Sequence, residues 1–574
     1  MGVAMNIKDK STVKACLLIG LVALFIAPSL LSAQQVVPAD ADTSRLRPAP
    51  LPLPSVPNFD LRIETPEKSA VPKAVDDLSF DINDIVVEGA QHYPKSEVDR
   101  LFKPLIGRRA KLSDIREAAD NLENRYRQEG FFLVRAFIPP QQVKDGIFKI
   151  RVIEGYIESV SAEGGSEAVR TLIEKMLEQV VNKRPIDLPS LERALLIMND
   201  MPGVRGTGVL RQGAELGASE LVVSITDAPS RNVVVGINNT ASKIMGEFAT
   251  FANLTINNPF DFHPGQLAMG LNASTDFERL RALNARYATP VGVNGLVFSV
   301  GGLVANARPG GSLRALEIES NSSSFSPRVR YALMRGRLAS AYVEAGLSVN
   351  HSRTTLLGAE LTLDRSTVFD TSFSVVDNRG EGTTEASFGI ARGTGLLGAN
   401  DTDAARPSVQ GFTPGFTKLR VNLGRTQTLP YNLSLQLLSQ GQWTADKLLA
   451  GEQVFFGGIG VGRGYDTGAV VGDRGAGVLL ELRRDILPQH WQALREGRLQ
   501  VYVFTDYAHA TLLANPSTGA AATSNWLRSI GAGVRYRNDT GLSIDFLVAD
   551  AQRAIQSVDP RSDPRILLLL TKAY

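Results

Sequence analysis

Residues 230–574 alternate apolar and polar side chains in a series of short segments, and this pattern constrains the fold more than any other feature. The segments end at clusters of Gly, Asn, Asp or Ser, and each has one apolar and one polar face. Such a pattern is typical of a transmembrane β-barrel, whose strands present apolar side chains to lipid and polar ones to a wet lumen. The clearest examples are Leu267–Leu271, Ala341–Val349, Leu419–Leu423, Leu433–Leu437, Ile530–Tyr536 and Leu542–Val548.

The length of this region indicates how many strands it can supply. Sixteen strands would leave about 21–22 residues for each strand with its connection, and a tilted spanning strand needs ~9–11 residues. We therefore expect 16 strands, although about 12 to 18 would also fit. A large β-sandwich or propeller shows the same alternation with its apolar face inside, so that alternative stays open.

Residues 1–33 have the features of a secretory signal peptide. Three lysines precede the apolar stretch Ala15–Leu31, and small residues precede the expected cleavage after Ala33. The stretch is too short and too interrupted for a good spanning helix, although an uncleaved anchor remains the alternative. Cys16 is the only cysteine of the chain, so we expect the mature protein to have no thiols.

The region between the signal peptide and the barrel divides into a linker and two small domains. Residues 34–79 contain eight prolines and little periodic apolar pattern, which predicts an extended linker. Residues 80–155 and 156–229 each have the order β-α-α-β-β, which predicts two compact α+β units. In the first unit, the second helix is predicted to bury Ile115, Ala119, Leu122 and Tyr126.

The chain gives little support for an enzyme or for nucleic-acid binding. Its five histidines are scattered, and it contains neither a Gly-x-Ser-x-Gly elbow nor a Walker-type phosphate loop. The formal net charge of +2 lacks the basic excess of a nucleic-acid binder. We expect no catalytic residue, no metal, no cofactor and no nucleotide.

Residues 457–475 are the most glycine-dense stretch and the best candidate for a functional site. Single charged residues are spaced among the glycines, and no register satisfies the Gly-x-Gly-x-x-Gly pattern of a dinucleotide site. Glycines let a backbone lie close to a wall, and an arginine among them presents five donors that suit a carboxylate. We interpret the stretch as a loop folded back into the barrel lumen, with a flexible external loop as the alternative.

The residues of this region form a recognisable series. In order they are Gly457-Gly458, Gly462, Arg463-Gly464-Tyr465, Gly472-Asp473-Arg474-Gly475, Glu481-Leu482 and Phe504-Thr505-Asp506. The series resembles the signature of two-partner-secretion transporters, outer-membrane exporters within the BamA-like barrel superfamily. In that family an Arg-Gly-Tyr/Phe loop re-enters the barrel, and its arginine contacts the aspartate of a Phe-x-Asp motif. The resemblance implies that Arg463 pairs with Asp506 beside Tyr465, with Phe504 and Glu481 on the same wall. Gly462 departs from the aliphatic residue usual in the family.

The two α+β units carry further matches to the same exporters. These matches are Gln128-Glu129-Gly130-Phe131, Pro139-Pro140-Gln141, Val152-Ile153-Glu154-Gly155, Leu191-Glu192-Arg193-Ala194 and Asp200-Met201-Pro202-Gly203-Val204. They resemble the first and second POTRA domains of the family. The resemblance then covers nearly the whole mature chain, and it implies an outer-membrane protein with both units in the periplasm.

The resemblance also implies a function. We expect a passive pore that exports one large secreted partner, such as an adhesin or haemolysin, with activation of that partner left open. The POTRA units are expected to capture the partner's N-terminal region by adding a strand to a sheet edge. An assembly factor for barrel proteins and a diffusion porin remain alternatives, although insertases usually have three or five POTRA domains and a porin needs none. The Arg463–Asp506 pair has barrel stability as its alternative role, and plugging of the pore by the linker is left open.

Overall fold

The computed structural model describes residues 38–48, 50–54, 61–63, 78–227, 229–260, 263–486, 497–516, 518–553, 555 and 564–574. The predicted signal peptide lies outside the described residues, as does much of the expected linker. None of the helices in the described part of the chain is long and apolar enough to cross a membrane. Single 3-10 turns lie at Thr43–Arg45, Lys103–Leu105, Glu178–Val180, Lys243–Met245, Gly311–Leu316 and Ala450–Glu452.

The first α+β unit packs two helices against a small sheet. From the linker to residue 153 the elements are β1 (Leu61–Ile63), β2 (Ser79–Ile82), β3 (Asp84–Glu88), α1 (Lys95–Phe102), β4 (Arg108–Lys111), α2 (Leu112–Gln128), β5 (Arg135–Phe137) and β6 (Ile147–Ile153). The central strand β6 is parallel to β3 and antiparallel to β5, and β2 pairs with β4 separately. Ile115, Ala119, Leu122 and Tyr126 are each at most 1% exposed, which confirms the buried face predicted for α2.

The second α+β unit has the order β-α-α-β-β, without the pair formed by β2 and β4 in the first unit, and the linker adds a strand to one edge of its sheet. Its elements are β7 (Tyr156–Glu163), α3 (Glu167–Leu177), α4 (Leu188–Asn199), β8 (Val204–Gln212) and β9 (Ala218–Asp227). The sheet has the order β1-β8-β9-β7, and β1 is parallel to β8, with Leu61 opposite Gly208 and Ile63 opposite Leu210. A three-residue strand is too short to show an alternation, so the sequence predicted only an extended linker here.

The remaining strands form a closed antiparallel barrel. In chain order they are β10 (Arg231–Asn238), β11 (Ala249–Asn257), β12 (Gln266–Ser274), β13 (Leu280–Val291), β14 (Leu296–Ala307), β15 (Glu319–Arg335), β16 (Ala339–Leu356), β17 (Ala359–Asp377), β18 (Gly382–Thr394), β19 (Thr417–Leu429), β20 (Leu433–Thr444), β21 (Val454–Phe456), β22 (Val470–Gly472), β23 (Arg474–Ile486), β24 (Gly497–Leu512), β25 (Thr523–Asn538), β26 (Leu542–Ala551) and β27 (Arg565–Ala573). All except β21 and β22 belong to the barrel, which β10 and β27 close. The predicted number of 16 strands is confirmed.

The apolar side chains of the strands face outward. Val304, Phe325 and Val503 are each more than half exposed, whereas the charged side chains of Arg330 and Asp370 are buried inside the barrel. A sandwich would bury its apolar face, so that alternative is wrong for this chain. The arrangement matches strands that meet lipid outside and a polar lumen inside.

The second α+β unit is docked on one end of the barrel. Arg335, at the end of β15, donates two hydrogen bonds to the carboxylate of Asp200, at 2.7 and 2.8 Å. Burial raises the pKa of Asp200, and the hydrogen bonds and charge of Arg335 oppose that rise. Arg193 of α4 donates to the backbone carbonyl of Ala332 at 2.7 Å. These contacts join the unit to the turn between β15 and β16.

Candidate functional site in the barrel lumen

The connection between β20 and β23 folds back into the barrel. Its stem is the hairpin of β21 and β22, in which Val454 lies opposite Gly472. The tip is shaped by glycines with positive φ, among them Gly457 at +114° and Gly462 at +100°. An added Cβ at Gly462 would lie 2.9 Å from both the Cα of Gly457 and the Cδ1 of Leu527. This loop therefore requires glycine at position 462.

Arg463 places its guanidinium in a buried acidic and aromatic pocket. Its Nη1 donates to Oε2 of Glu481 at 2.7 Å, and its Nε donates to the carbonyl of Ile459 at 3.2 Å. The guanidinium carbon also lies 4.6 Å from the ring centroid of Phe504, at cation–π distance. Arg463 is 7% exposed and Glu481 is fully buried. The loop tip is thus tied to β23 and β24 through one side chain.

The predicted charge pair between the guanidinium of Arg463 and the carboxylate of Asp506 is wrong, although the two residues are in contact. Asp506 accepts the backbone N–H of Arg463, at 3.1 Å, rather than its guanidinium. The other carboxylate oxygen accepts the backbone N–H and the hydroxyl of Ser529. The physical reason is distance: the loop backbone comes so close to β24 that the long side chain passes Asp506 and reaches Glu481.

Glu481 is the centre of a cluster of guanidinium groups. Its second oxygen, Oε1, accepts from Nε of Arg483 at 2.6 Å and from Nη1 of Arg535 at 3.4 Å. Arg535 is also paired with Asp545 at 2.8 Å. The three arginines and Asp545 line a polar cavity of about 400 Å³, together with Ile459 of the loop tip. The buried carboxylate of Glu481 therefore faces three guanidinium groups. Replacing Glu481 by a neutral residue would leave these charges without their shared partner, which is strongly destabilising in a buried site.

Gly464 and Tyr465 bring the loop against the strands at the end of the chain. A Cβ at Gly464 would lie 2.9 Å from that of Ser529, so the wall leaves no room for a side chain. The Tyr465 hydroxyl lies 2.8 Å from the carbonyl of Arg553, within hydrogen-bond distance. Arg565 of β27 forms an ion pair with Asp466 at 3.2 Å and donates to the carbonyl of Tyr465. Arg565 was not predicted from the sequence, although an arginine at the start of an apolar final strand was a usable signal.

Asp473 and Arg474 lie next to each other in the chain but have different environments. Asp473 is fully buried and accepts the backbone N–H groups of Leu448, at 3.0 Å, and Leu513, at 2.8 Å. It therefore holds the base of the re-entrant loop to two neighbouring connections. Arg474 begins β23 with an exposed side chain, so the structure does not bring it to the Arg463 cluster.

Residues 38–48 and 50–54 of the linker lie in the same lumen. Thr43 and Ser320 share a hydrogen bond between hydroxyl groups at 2.9 Å. Arg47 forms an ion pair with Glu452 at 3.0 Å, and Glu452 is also paired with Lys418 at 2.9 Å. Part of the Pro-rich segment thus occupies the pore, a question that the sequence analysis left open.

The family-like motifs of the first α+β unit hold its fold together. The Tyr126 hydroxyl donates to Oε1 of Glu154 at 2.6 Å, and the backbone N–H of His92 donates to the same oxygen at 2.8 Å. Burial, followed by this bond to a carboxylate, raises the pKa of Tyr126. A Cβ at Gly155 would lie 2.6 Å from the carbonyl oxygen of Leu133. These residues therefore have structural roles within the unit.

A closed barrel with a loop and a linker segment inside its lumen, preceded by two α+β units of which the second is docked on one end, defines a POTRA-type outer-membrane transporter. The chain belongs to the family of haemolysin secretion/activation proteins ShlB/FhaC/HecB, whose family model matches residues 217–536. The ShlB-type POTRA domain model matches residues 80–155. The family consists of transporters rather than enzymes. The barrel accordingly lies in the outer membrane and the POTRA units lie in the periplasm.

Individual proteins show the same relationship. The heme/hemopexin transporter protein HuxB of Haemophilus influenzae strain 86-028NP is 22% identical over 82% of this chain and 84% of its own length. The structure of CdiB from Escherichia coli matches with a TM-score of 0.70 and 19% identity, covering 89% of this chain and 93% of that one. BamA from Haemophilus ducreyi lacking POTRA domains 1–3 matches with a TM-score of 0.51 and 12% identity, covering 86% and 100%. Both structural likenesses concern the fold.

Proposed function

We propose that this protein exports one large secreted partner across the outer membrane by two-partner secretion. The observation that carries the proposal is the occupancy of the lumen by a linker segment that is held mainly by polar contacts. The re-entrant loop, in contrast, also packs Phe456, Val461 and Tyr465 against apolar side chains of the wall. The polar contacts of the linker segment can be exchanged one by one, whereas a fixed structural filling would be packed throughout as an apolar core. The folding of the partner outside the cell would oppose its return, so no nucleotide is needed.

The capture of the partner by a sheet edge requires an edge that can accept a strand. In the first POTRA unit the backbone N–H of Ala136, in the edge strand β5, already donates to the buried carboxylate of Glu123 at 3.1 Å. In the second unit the edge strand β8 carries β1, a short strand of the chain's own linker. The β8 edge is thus shaped for an added strand, and Leu61 contacts the core beneath it.

We infer that a strand from the N-terminal region of the secreted partner replaces β1 on β8. A three-residue parallel pairing is small, and Ile63 at its end is 41% exposed, so a longer incoming strand would bury more surface. The linker connects β1 to the lumen segment, whose last described residue before β1 is Pro54. Seven residue steps span at most ~25 Å, so a displaced β1 would slacken the attachment of that segment.

A disulfide lock tests this exchange. The only natural cysteine is Cys16 of the predicted signal peptide, so the pair Arg62→Cys with Val209→Cys would join β1 to β8 at facing positions. We expect oxidation to stop export and reduction to restore it. The control pair, Arg211→Cys with Glu220→Cys, joins β8 to β9 and should export in both states. Normal export by the oxidised lock would reject the exchange and leave the transporter function intact.

The export function itself is tested by deletion. We expect loss of the chain to remove one large protein from the culture medium and the wild-type gene to restore it, while other outer-membrane barrels keep their levels. Unchanged medium with depleted barrels would instead favour an assembly factor, the alternative that the fold likeness to BamA keeps in view.

A further inference from the structure

Two arginines of the lumen wall bind the backbone of the linker segment rather than its side chains. Arg286 of β13 donates from Nη1 to the carbonyl of Pro50 at 2.6 Å. Arg330 of β15 donates from Nη1 to the carbonyl of Pro52 at 2.8 Å and from Nη2 to the carbonyl of Leu51. Three consecutive carbonyls are thus held by two guanidinium groups.

The contacts a few residues earlier include side chains of the linker. Ser320 binds the hydroxyl of Thr43, and Glu452 binds the guanidinium of Arg47. These two contacts depend on which side chains the linker has, although Ser320 and Ser322 also bind the backbone N–H and carbonyl of Thr43. The hydrogen bonds at residues 50–52 are made only to backbone carbonyls, which every residue has. This part of the wall therefore binds the linker independently of its side chains.

Arg330 is oriented by the wall itself. Its Nε donates to Oε2 of Glu344 at 2.8 Å, and Arg330 is 7% exposed. Glu344 also receives Nη1 of Arg328, which is paired with Asp370. The ion pair with Glu344 therefore fixes the orientation of the Arg330 guanidinium and balances its charge, and it leaves Nη1 and Nη2 to donate to a bound chain. A Pro-rich extended chain presents carbonyls without internal hydrogen bonds, as does any unfolded chain in transit.

We propose that Arg286 and Arg330 form a binding site for the backbone carbonyls of an extended polypeptide. Residues 50–52 occupy the site at rest, and successive segments of the exported protein occupy it in turn. This inference rests on the proposed export function. A guanidinium binds carbonyl oxygens without reading side chains, which suits a pore that must pass a long chain of changing sequence.

Peptide block of the open pore tests the site without a secreted partner. The protein lacking residues 38–54 would be placed in planar bilayers, and two synthetic peptides would be added: residues 46–54, and the same peptide with Arg47→Ala. We expect the Arg47→Ala peptide to block at a higher concentration, because it loses the ion pair with Glu452, and the wall variants to weaken both peptides by the same factor. Arg286→Ala or Arg330→Ala should raise the half-blocking concentration about tenfold or more, and Arg330→Lys by less, because lysine keeps the charge but loses the planar fork.

Arg420→Ala is the matched control. Arg420 also faces the lumen, where its described ion pair is with Asp370 at 3.6 Å, and its loss should change the block less than about twofold. Heat-modifiable mobility on gels checks that each barrel is assembled. If the Arg330→Ala barrel does not assemble, the effect of Arg286→Ala on the block is the test of the site. Unchanged block in the assembled arginine variants, or an effect of those variants that disappears with the Arg47→Ala peptide, would overturn the site. Either result leaves export by the wild-type protein, measured in the medium, as a separate question.

Discussion

The Nη1 atom of Arg463 lies 2.7 Å from Oε2 of Glu481, while the carboxylate of Asp506 receives the Arg463 backbone N–H at 3.1 Å. Two acidic residues on neighbouring strands thus hold the same loop residue in different ways. Glu481 balances the charge of the arginine, and Asp506 fixes the path of the backbone. The two contacts can be separated by mutation.

Glu481→Gln should damage export more than Asp506→Asn. The first change leaves three guanidinium groups around a neutral amide, and breaking a buried ion pair costs about 3–5 kcal/mol. The second removes one charge but keeps an acceptor, at a cost of about 1–2 kcal/mol. The measurement is secreted partner per assembled barrel at the surface. A larger loss with Asp506→Asn would show that Asp506 is the dominant anchor, and a parallel loss of surface barrel would favour a purely structural role.

Gly462→Ala should cripple export, whereas Gly460→Ala should be tolerated. Gly462 has a φ of +100° and would place a Cβ 2.9 Å from two atoms, whereas nothing lies within 4 Å of a Cβ at Gly460. The strain at position 462 is expected to cost roughly 1–3 kcal/mol in loop docking. Limited proteolysis of the loop in whole cells, beside the export assay, reports undocking. Equal behaviour of the two alanine variants would contradict this account.

Asp473→Ala should loosen the base of the loop, and Arg474→Ala should have little effect. Asp473 is fully buried and accepts two backbone N–H groups, so its loss strands donors at about 1–3 kcal/mol each. Arg474 is exposed, and exposed charges contribute about 0–1 kcal/mol. Thermal loss of heat-modifiable mobility would compare the two barrels. Similar midpoints for both variants would refute the assigned role of Asp473.

Arg335→Ala should undock the second POTRA unit, and Arg337→Ala should not. The Arg335 side chain is 3% exposed and holds Asp200 with two bonds, whereas the Arg337 side chain, paired with Glu192, is 51% exposed. We expect a loss of roughly 2–4 kcal/mol for the first variant and less than about 1 kcal/mol for the second. Hydrogen exchange of α4 in detergent measures the difference. Protection of α4 that is unaltered by Arg335→Ala would show that apolar packing alone fixes the unit.

Several features were predictable from residues close together in the chain. The alternation at Ala341–Val349 predicted a barrel strand because side chains in a strand point to opposite faces at every second residue. The spacing of Ile115 and Leu122 predicted the buried face of α2 for the equivalent helical reason. The Arg-Gly-Tyr series at residues 463–465 indicated the re-entrant loop through its likeness to a known signature.

Other features depend on which distant segments meet in three dimensions. Arg463 has both Asp506 and Glu481 within reach, and the closeness of the loop backbone to β24 selects Glu481 for the guanidinium. The pairing of Leu61–Ile63 with β8 and the position of residues 38–48 and 50–54 in the lumen follow from long-range geometry, which leaves no periodic signal in a short Pro-rich stretch. Local periodicity thus predicted the strands and the helices, because it acts between neighbours, and the likeness of residues 457–475 to a known signature indicated the kind of protein. The partners of each buried charge and the occupants of the pore were settled by packing, because only the closed barrel brings those groups within bonding distance.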